Sequence, residues 1–448
     1  MVGCYTISAK TRAAACAAMC NGTTQKLWNS FCLTFGALEL EACEGFVFRI
    51  GTTPLPRLDN GREYALLVDQ NGAALVGRDY GGLMRGFMSL LMKIEYKNKT
   101  LFIKPACEQS EYRIATRMIH ICVFPENDLN FIRKLVRLAA LCQYTHVVIE
   151  FWGMLQFDCL SELAWPHAFT KAEAKSLTDE CRELGIAPVP MFNMFGHASA
   201  SRVRYGKHVV LDQNPALQHL FTPDGWAWDI TCEDVPRLFS QVRRELYDLF
   251  GDCEYFHIGF DEAYFYMHND ELRAHVPAFL KQLTHDIAAE GYKPMMWMDM
   301  ILEKGDYPKE YYAFGNPGEA RQLLDSLAKE TVMVDWQYNI TEPPLLTSLY
   351  LKDKGHELIV APWLKRPNYT ACINTVADNN LSGLMLTTWH TLQDQMYSIL
   401  GCAQTIGAKT FVWSVNRVEE ETATMLRRVS FEGNSYADCG WSKQQIQM

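Results

Sequence analysis

The sequence predicts an α/β protein, a (β/α)8 TIM barrel preceded by a small α+β domain. From about residue 112 onward, short apolar segments typical of buried strands alternate with helical segments, and eight strand candidates can be counted. Before residue 112, strand and hairpin signals dominate and only a few helical segments intervene. We therefore expect domains at residues 1–108 and 109–406, and a helical extension at residues 407–448 that packs on the barrel.

Composition narrows the class of protein. The 448 residues are 48% hydrophobic and 21% charged, which is typical of a folded globular chain. A net charge of −10 without a basic cluster argues against nucleic acid as a partner, and no segment reaches the length of a membrane-spanning helix. The 15 cysteines are scattered and none has Cys-x-x-Cys spacing. Reduced thiols in a cytoplasmic protein are therefore expected, although a signal peptide already removed would leave no trace.

The first domain is expected to have a structural role, because no group of catalytic residues occurs in it. Residues 13–19 predict a short helix that ends at Asn21-Gly22. Residues 31–35 and 46–50 predict strands. Strands at 64–68 and 73–77 flank Asp69-Gln70-Asn71-Gly72, which is a hairpin signal, and a helix follows at 82–92.

The barrel prediction rests on a repeated order of strand, loop and helix. No strand is followed by Gly-x-Gly-x-x-Gly, which argues against a doubly wound sheet with a nucleotide site. Helices are predicted at 130–142 and 171–184, and a further helical segment at 418–429. The eight predicted strands are 113–123, 146–150, 187–192, 257–262, 294–299, 331–336, 357–362 and 383–389.

The adjacent carboxylates Asp261 and Glu262 are the first candidates for catalysis. They follow an apolar, aromatic run, so they are expected at the carboxyl end of a strand, where parallel α/β barrels build their active sites. Two neighbouring carboxylates repel each other, which raises the pKa of one of them toward the range of a general acid. For an isolated pair, a surface position at a helix N-terminus explains the residues equally well.

Other polar and aromatic residues are expected at the same end of the barrel. Five tryptophans recur at strand ends, and a pocket walled by indoles suits the apolar face of a pyranose ring. Arg117, Asn193 and the carboxylates would then bond to the sugar hydroxyls. The full set at strand ends is Arg117, Glu150, Trp152, Asn193, His197, Asp261, Glu262, Trp297, Asp299, Trp336, Tyr338, Trp363, Trp389 and His390.

Two segments resemble motifs of one enzyme family. His257-Ile258-Gly259-Phe260-Asp261-Glu262 resembles the His-x-Gly-Gly-Asp-Glu signature of family 20 glycoside hydrolases, the β-N-acetylhexosaminidases. Asn193-Met194-Phe195-Gly196-His197 is similar to the family's Asp-x-Pro-Gly-His segment, and Arg117 falls where the family keeps an arginine. The sequence departs from the family pattern at Phe260 and Asn193, and at His390 where many members have a glutamate.

The resemblance implies an exo-acting β-N-acetylhexosaminidase that removes terminal β-linked GlcNAc or GalNAc from an oligosaccharide or glycoconjugate. In this scheme the substrate's acetamide oxygen attacks the anomeric carbon and forms an oxazolinium intermediate. Asp261 would orient the acetamide, and Glu262 would act as general acid and then base. No metal or cofactor is expected. The residues expected to bind substrate are Arg117, His197, His257, Trp297, Asp299, Trp336, Tyr338 and Trp389, with Tyr338 or Tyr369 at the acetamide oxygen.

Alternatives stay open at this point. One is a glycosidase that uses a protein carboxylate as nucleophile on a sugar without the acetamide. Another is a carbohydrate-binding or degenerate homologue that has lost turnover, consistent with the departures at Phe260 and His390. His197 and His257 are also explained as supports for the carboxylates, and a metal site made of His197, His257 and Asp261 has no supporting ligand spacing. The preference for GlcNAc or GalNAc, the linkage and the oligomeric state are not indicated.

Overall fold

The computed structural model describes residues 3–32, 37–198, 214–302, 318–389, 392–407 and 418–431. Eight parallel strands close into a barrel in sequence order, which confirms the predicted fold class. The register is continuous, with Met118 opposite His146 and Trp336 opposite Ala361. The barrel strands are Thr116–Cys122, His146–Glu150, Ala187–Met191, Tyr255–His257, Lys293–Trp297, Val332–Trp336, Glu357–Ala361 and Gly383–Leu386.

The barrel interior is filled by side chains, as is usual for eight strands. Met118, Val148, Met295 and Val334 belong to this inner core and are fully buried. Three of the surrounding helices begin at a side-chain cap, Asp128, Thr170 or Asn269, and Thr170 forms a reciprocal capping box with Glu173. These helices are Leu129–Leu141, Lys171–Glu183, Asp234–Phe250, Tyr264–Met267, Asp270–Arg273, Val276–Ala289, Glu319–Ser326, Leu346–Asp353, Arg366–Asp378 and Leu392–Ile406.

The first domain contains two sheets and two helices. The predicted hairpin is confirmed, with Asn71-Gly72 at its turn, and the predicted helix after it is confirmed as Tyr80–Leu91. The six-stranded sheet has the spatial order Ala37–Cys43, Lys10–Cys16, Val47–Gly51, Gly72–Gly77, Tyr64–Asp69 and Ala106–Gln109. The three-stranded sheet has the order Tyr5–Thr6, Thr100–Ile103 and Ile94–Lys97.

Two predictions in this domain are wrong. The predicted helix at 13–19 is the strand Lys10–Cys16 followed by a 3-10 turn, because pairing with strands on both sides overrides the helix preference of its alanines. Asn21 begins the next helix rather than ending one, since its side chain accepts a hydrogen bond from the Thr24 N–H at 2.8 Å. That helix, Gly22–Phe31, replaces the start of the strand predicted at 31–35, and residues 33–36 lie outside the described residues.

The fourth barrel strand is shorter than predicted. It ends at His257, so Asp261 and Glu262 lie in the loop that follows it. Gly259 and Phe260 have φ angles of 69° and 85°, which interrupt the extended conformation. Because the chain is not extended here, the alternation of side chains along a strand does not decide the directions of the two carboxylates.

The helix Val418–Arg428 packs between the barrel and the first domain. It contacts the helices Leu129–Leu141, Leu392–Ile406 and Gly22–Phe31. Phe431 follows this helix in the chain, and the Arg137 guanidinium lies 3.8 Å from the centre of its ring. The domain limits at residues 108 and 406 stay predictions. None of the helices in the described ranges is long and apolar enough to cross a membrane.

Candidate active site

Asp261 and Glu262 share one histidine partner. His197 follows the third barrel strand, and its Nε2 lies 3.3 Å from Asp261 Oδ2 and 3.0 Å from Glu262 Oε2. Asp261 is buried, whereas His197 and Glu262 are only partly so. The structure therefore brings these three predicted residues together, with their donor atoms within 4.8 Å of one another.

The backbone of Glu262 is held from two sides. Its φ of 49° is in the left-handed region, which costs energy for a residue other than glycine. Its N–H donates to Asp299 Oδ2 at 3.1 Å, and its carbonyl accepts from the Trp226 indole N–H at 2.7 Å. The surrounding structure thus fixes the direction of the Glu262 side chain, as is common for strained residues at functional sites.

Asp299 lies in the site but behind the pocket surface. It is fully buried, and its Oδ1 accepts a hydrogen bond from the Trp336 indole at 3.0 Å while Oδ2 holds Glu262. Burial raises the pKa of Asp299 well above its ordinary value, and the charges of Asp261 and Glu262 raise it further. Asp299 is fully buried and its two oxygens accept from Glu262 and Trp336, so the structure shows it acting on protein groups, and its contact with sugar hydroxyls stays a prediction.

Aromatic residues from strands six to eight lie together at the carboxyl end of the barrel. Trp336, Tyr338 and Trp389 are half-buried, and Trp336 and Trp389 pack against the inner core of the barrel. The Trp389 indole donates to the Tyr338 hydroxyl at 3.1 Å, and the Trp336 and Tyr338 rings lie 5.2 Å apart. Burial raises the pKa of Tyr338, so its hydroxyl stays protonated and can donate a hydrogen bond.

Of the two tyrosines considered for the acetamide oxygen, Tyr338 is the one whose pKa responds to the charges of Asp261 and Glu262. Asp261 and Glu262 are close enough for their charges to raise the pKa of Tyr338 further, after the effect of burial. Tyr369 instead lies within the outer helix Arg366–Asp378 and is packed against Gly401. Trp363, whose ring lies 5.3 Å from that of Tyr338, extends this group of aromatic residues and donates to Gln395.

A second layer of predicted site residues lies below the pocket, inside the barrel. His257 and Trp297 are buried, their rings are 4.6 Å apart, and His257 Nδ1 accepts from the Gly259 N–H at 3.1 Å. Asn193 donates to Glu150 at 2.7 Å, and Glu150 lies 3.2 Å from His120 Nε2. His257 and Trp297 are thus buried inside the barrel, and the direct sugar contacts predicted for them stay predictions.

Arg117 is at the wrong end of the barrel for the predicted sugar contact. It is the second residue of the first strand, and its guanidinium binds Glu63 of the small domain through two nitrogens, each at 3.0 Å. Its other N–H groups donate to the carbonyls of Gln143, Ile114 and Ala115. Arg117 therefore joins the two domains, and the expectation that it binds sugar is wrong.

Several other expectations concern residues that the structure does not describe or does not assemble. His390 lies outside the described residues, as does the side chain of Trp152. Within the described ranges, one group of three side chains could hold a metal ion, namely His197, Asp261 and Glu262, with donor atoms within 4.8 Å of one another. The alternative set containing His257 is not brought together, because His257 is turned toward Gly259.

Comparison with known proteins identifies the family. The family model described as glycosyl hydrolase family 20, catalytic domain, matches residues 153–416, which is more than half of the chain. The chain belongs to this family. It is a glycoside hydrolase, and the resemblance seen in its motifs is thereby confirmed. No curated protein sequence matches the chain.

Solved structures of family 20 enzymes share the fold at low sequence identity. A chitobiase from Flavobacterium johnsoniae has a TM-score of 0.68 at 14% identity, covering 96% of this chain and 70% of that one. The β-N-acetylhexosaminidase from Streptomyces coelicolor A3(2) has a TM-score of 0.67 at 14% identity, covering 96% and 94%. An exo β-N-acetylglucosaminidase from Vibrio harveyi, in complex with N-acetylglucosamine, has a TM-score of 0.65 at 12% identity, covering 96% and 74%.

Proposed function

We propose that this family 20 enzyme is an exo-acting β-N-acetylhexosaminidase that hydrolyses terminal β-linked GlcNAc or GalNAc with retention. The observation that carries the proposal is that Asp261 and Glu262 contact the same nitrogen of His197. The donor atoms of these three residues lie within 4.8 Å of one another, which is closer than the roughly 6.5–9.5 Å that inverting enzymes need for a water molecule between their carboxylates, so the spacing supports retention. In this proposal the nucleophile is the 2-acetamido oxygen of the substrate, as in the substrate-assisted exceptions to the two-carboxylate scheme.

In this scheme the roles are divided between the two carboxylates. Asp261, the more buried of the two, accepts the acetamide N–H and stabilises the positive charge of the oxazolinium ion. Glu262 donates a proton to the leaving oxygen and then, as a base, removes a proton from the attacking water. Tyr338, whose pKa is raised by burial so that its hydroxyl stays protonated, would donate to the acetamide oxygen as it attacks.

The half-buried wall of Trp336, Tyr338 and Trp389 supports binding of one terminal sugar ring. Indole and phenol faces pack against the apolar face of a pyranose, and an enclosing wall favours exo action. The Vibrio harveyi relative, an exo-acting enzyme seen with N-acetylglucosamine, is consistent with this substrate. The proposed partner is an oligosaccharide or glycoconjugate with a terminal N-acetylhexosamine.

A panel of aryl glycosides tests the proposal. Aryl β-GlcNAc and β-GalNAc are compared with the matching β-glucoside and β-galactoside, which differ only in having a hydroxyl at carbon 2. We expect turnover of the acetamido sugars and rates at least about 100-fold lower for the others, because those lack the nucleophile. Turnover of the 2-hydroxy sugars alone would contradict the proposal. A Glu262→Gln variant serves as the control for background hydrolysis.

A further inference from the structure

Cys16 and Cys43 lie opposite each other at the ends of two paired strands of the small domain. The strands Lys10–Cys16 and Ala37–Cys43 are parallel, and their register runs without a break to the last pair, Cys16 opposite Cys43. Both cysteines are free thiols. They belong to a different domain from the candidate active site, so the proposed mechanism gives this pair no role.

The two thiols lie on the same face of the sheet. Opposite residues of a paired strand point to the same side, and every second residue along a strand returns to that side. Arg12 and Glu39 are the opposite residues four positions earlier, and their side chains meet, with Arg12 Nε 3.0 Å from Glu39 Oε2. Cys16 and Cys43 therefore point to the side on which that contact is made.

The Cys43 side chain reaches across the end of the strand that carries Cys16. Its Sγ lies 4.0 Å from the carbonyl oxygen of Val47, which begins the strand on the other side of Lys10–Cys16. Burial raises the pKa of the Cys43 thiol, and the neighbouring Cys16 thiol raises this pKa further. The two sulfur atoms are thus near enough for the charge of one to act on the other.

The spacing of the pair suits a disulfide that forms and breaks readily. Paired strands lie about 4.8 Å apart, and the Cα atoms of linked cysteines lie about 4.4–6.8 Å apart. The Cβ atoms of a disulfide lie about 3.8 Å apart, so the bond would pull the strands slightly together. Both cysteines are the last residues of their strands, where such a movement disturbs little pairing. The resulting strain makes the bond easy to reduce.

We propose that Cys16 and Cys43 form a reversible disulfide by exchange with a low-molecular-weight disulfide such as oxidised glutathione. Cys43 is the more exposed of the two, so its thiolate attacks a sulfur of the oxidant and one glutathione thiolate leaves. The Cys16 thiolate then attacks the Cys43 sulfur and releases the second glutathione thiolate. The protein loses two protons and two electrons, and one molecule of oxidised glutathione becomes two of reduced glutathione. The bond ties the edge strand Ala37–Cys43 to its neighbour.

Cys20 and Cys32 provide matched controls. The tryptic peptide that carries Cys16 also contains Cys20, and the next one, which carries Cys43, also contains Cys32. Cys20 is exposed, and its Sγ lies 3.9 Å from the Cys16 carbonyl oxygen, whereas Cys32 is buried. Replacing each of the four cysteines by serine in turn therefore assigns the linked pair.

The test uses the folded, reduced protein, which is incubated with oxidised glutathione, alkylated with N-ethylmaleimide, digested with trypsin and measured by mass spectrometry. We expect the two peptides to appear linked, lighter by two hydrogen atoms than their sum, and to separate on reduction. Cys16→Ser and Cys43→Ser should lose the linked species, whereas Cys20→Ser and Cys32→Ser should retain it. Fragmentation of the linked peptides from the wild type locates the bond without relying on the folding of any variant.

Three results would overturn the proposal. The first is alkylation of both Cys16 and Cys43 after treatment of the wild type with oxidised glutathione. The second is a linked species that disappears in Cys20→Ser, since the bond would then involve Cys20. The third is a mixed disulfide of Cys43 with glutathione that persists, because Cys16 would then not have attacked it. None of these results depends on the proposed function, because the readout does not involve activity.

Discussion

Phe260 stands where the family signature has its second glycine, and its backbone keeps the conformation that a glycine would favour. Its φ is 85°, yet the side chain is fully buried and stacks on Phe195 with ring centres 4.6 Å apart. The left-handed conformation costs about 1–2 kcal/mol, whereas burying a phenylalanine is worth about 3–5 kcal/mol. Packing therefore outweighs the backbone cost at this residue.

Substitutions of Phe260 should follow an order set by these two effects. We predict that Phe260→Ala loses about 3–5 kcal/mol of unfolding free energy, since it loses the packing and keeps the backbone cost. Phe260→Gly should lose about 1 kcal/mol less, because glycine relieves that cost. Denaturant unfolding of the three proteins measures the order. A glycine variant as stable as the wild type would show that the packing of Phe260 contributes no more than the backbone cost that glycine relieves.

Asp299 is expected to act through Glu262 rather than on the sugar. In Asp299→Asn one of its two acceptor oxygens becomes an NH2 group, which cannot serve both Glu262 and Trp336. We predict a loss of about 10- to 100-fold in kcat from the misplaced acid, larger for alkyl than for activated aryl leaving groups. Asp335→Asn is the control, since Asp335 is equally buried but accepts from Thr347 and Ser348. Equal losses on both leaving groups would contradict a role through Glu262.

At the scale of elements, the loop after strand three must approach the catalytic loop very closely. A Cβ atom on Gly196 would lie 1.8 Å from the Asp261 carbonyl oxygen, and one on Gly259 would lie 2.1 Å from Asn193 Oδ1. Neither contact is possible without movement of the backbone. These two glycines therefore allow His197 to reach both carboxylates.

We predict that Gly196→Ala lowers kcat by about 100-fold, because the displaced loop separates His197 from Asp261 and Glu262. Gly22→Ala is the matched control, since a Cβ there would meet nothing within 4 Å, and it should keep full activity. Steady-state kinetics together with the melting temperature check this prediction. A Gly196→Ala enzyme with wild-type kcat would mean that the close approach is not needed for catalysis.

The elements show what a sequence can and cannot predict here. Seven of the eight predicted barrel strands overlap the observed ones over most of their length, since buried parallel strands are apolar runs with clear boundaries. The exception, the strand predicted at 257–262, ends at His257 because Gly259 and Phe260 adopt positive φ angles, and a positive φ is not expected of a phenylalanine. The alanines at 13–15 were misassigned because strand pairing, which depends on distant residues, decided their conformation.

The site was predictable in its members more than in their roles. Asp261, Glu262, His197, Trp336, Tyr338 and Trp389 were found because they follow strands of a barrel. Arg117 was misplaced because the sequence does not show where the first strand begins, and Arg117 is the second residue of that strand, at the opposite end from the site. Its partner Glu63 lies in another domain, which the sequence also does not reveal. Trp226 was missed because it follows no predicted strand. The aromatic segment Gly225-Trp226-Ala227-Trp228 is the feature of the sequence that could have indicated it.

At the scale of the whole molecule, a buried ion pair joins the small domain to the bottom of the barrel. Glu63 binds both Arg85 of its own domain and Arg117 of the first barrel strand. Burial acts to raise the pKa of Glu63, but the two guanidinium groups outweigh it and hold the pKa below its ordinary value. The carboxylate therefore stabilises the folded protein above a pH of about 4.3, and this contribution is lost as the pH falls through the lowered pKa.

We predict that Glu63→Gln lowers the free energy of unfolding at pH 7 by about 3–5 kcal/mol, because it leaves two buried cations short of a partner. The difference from the wild type should shrink as the pH falls below about 4.3 and through the lowered pKa of Glu63, where the carboxylate of the folded protein becomes protonated. Glu39→Gln is the control, because the Arg12–Glu39 pair is exposed and should contribute little. A pH-independent difference would contradict the ionic origin of the effect.

The central claim is that the substrate's own acetamide is the nucleophile. It is tested most directly by hydrolysis of aryl β-GlcNAc substrates whose acetyl group carries zero, one, two or three fluorine atoms. Each fluorine weakens the carbonyl oxygen as a nucleophile and leaves the glycosidic bond and the leaving group unchanged. The account predicts that kcat/KM falls steeply with every fluorine added. Rates that stay level across the series would show that the attacking atom belongs to the protein or to water, and would contradict the account.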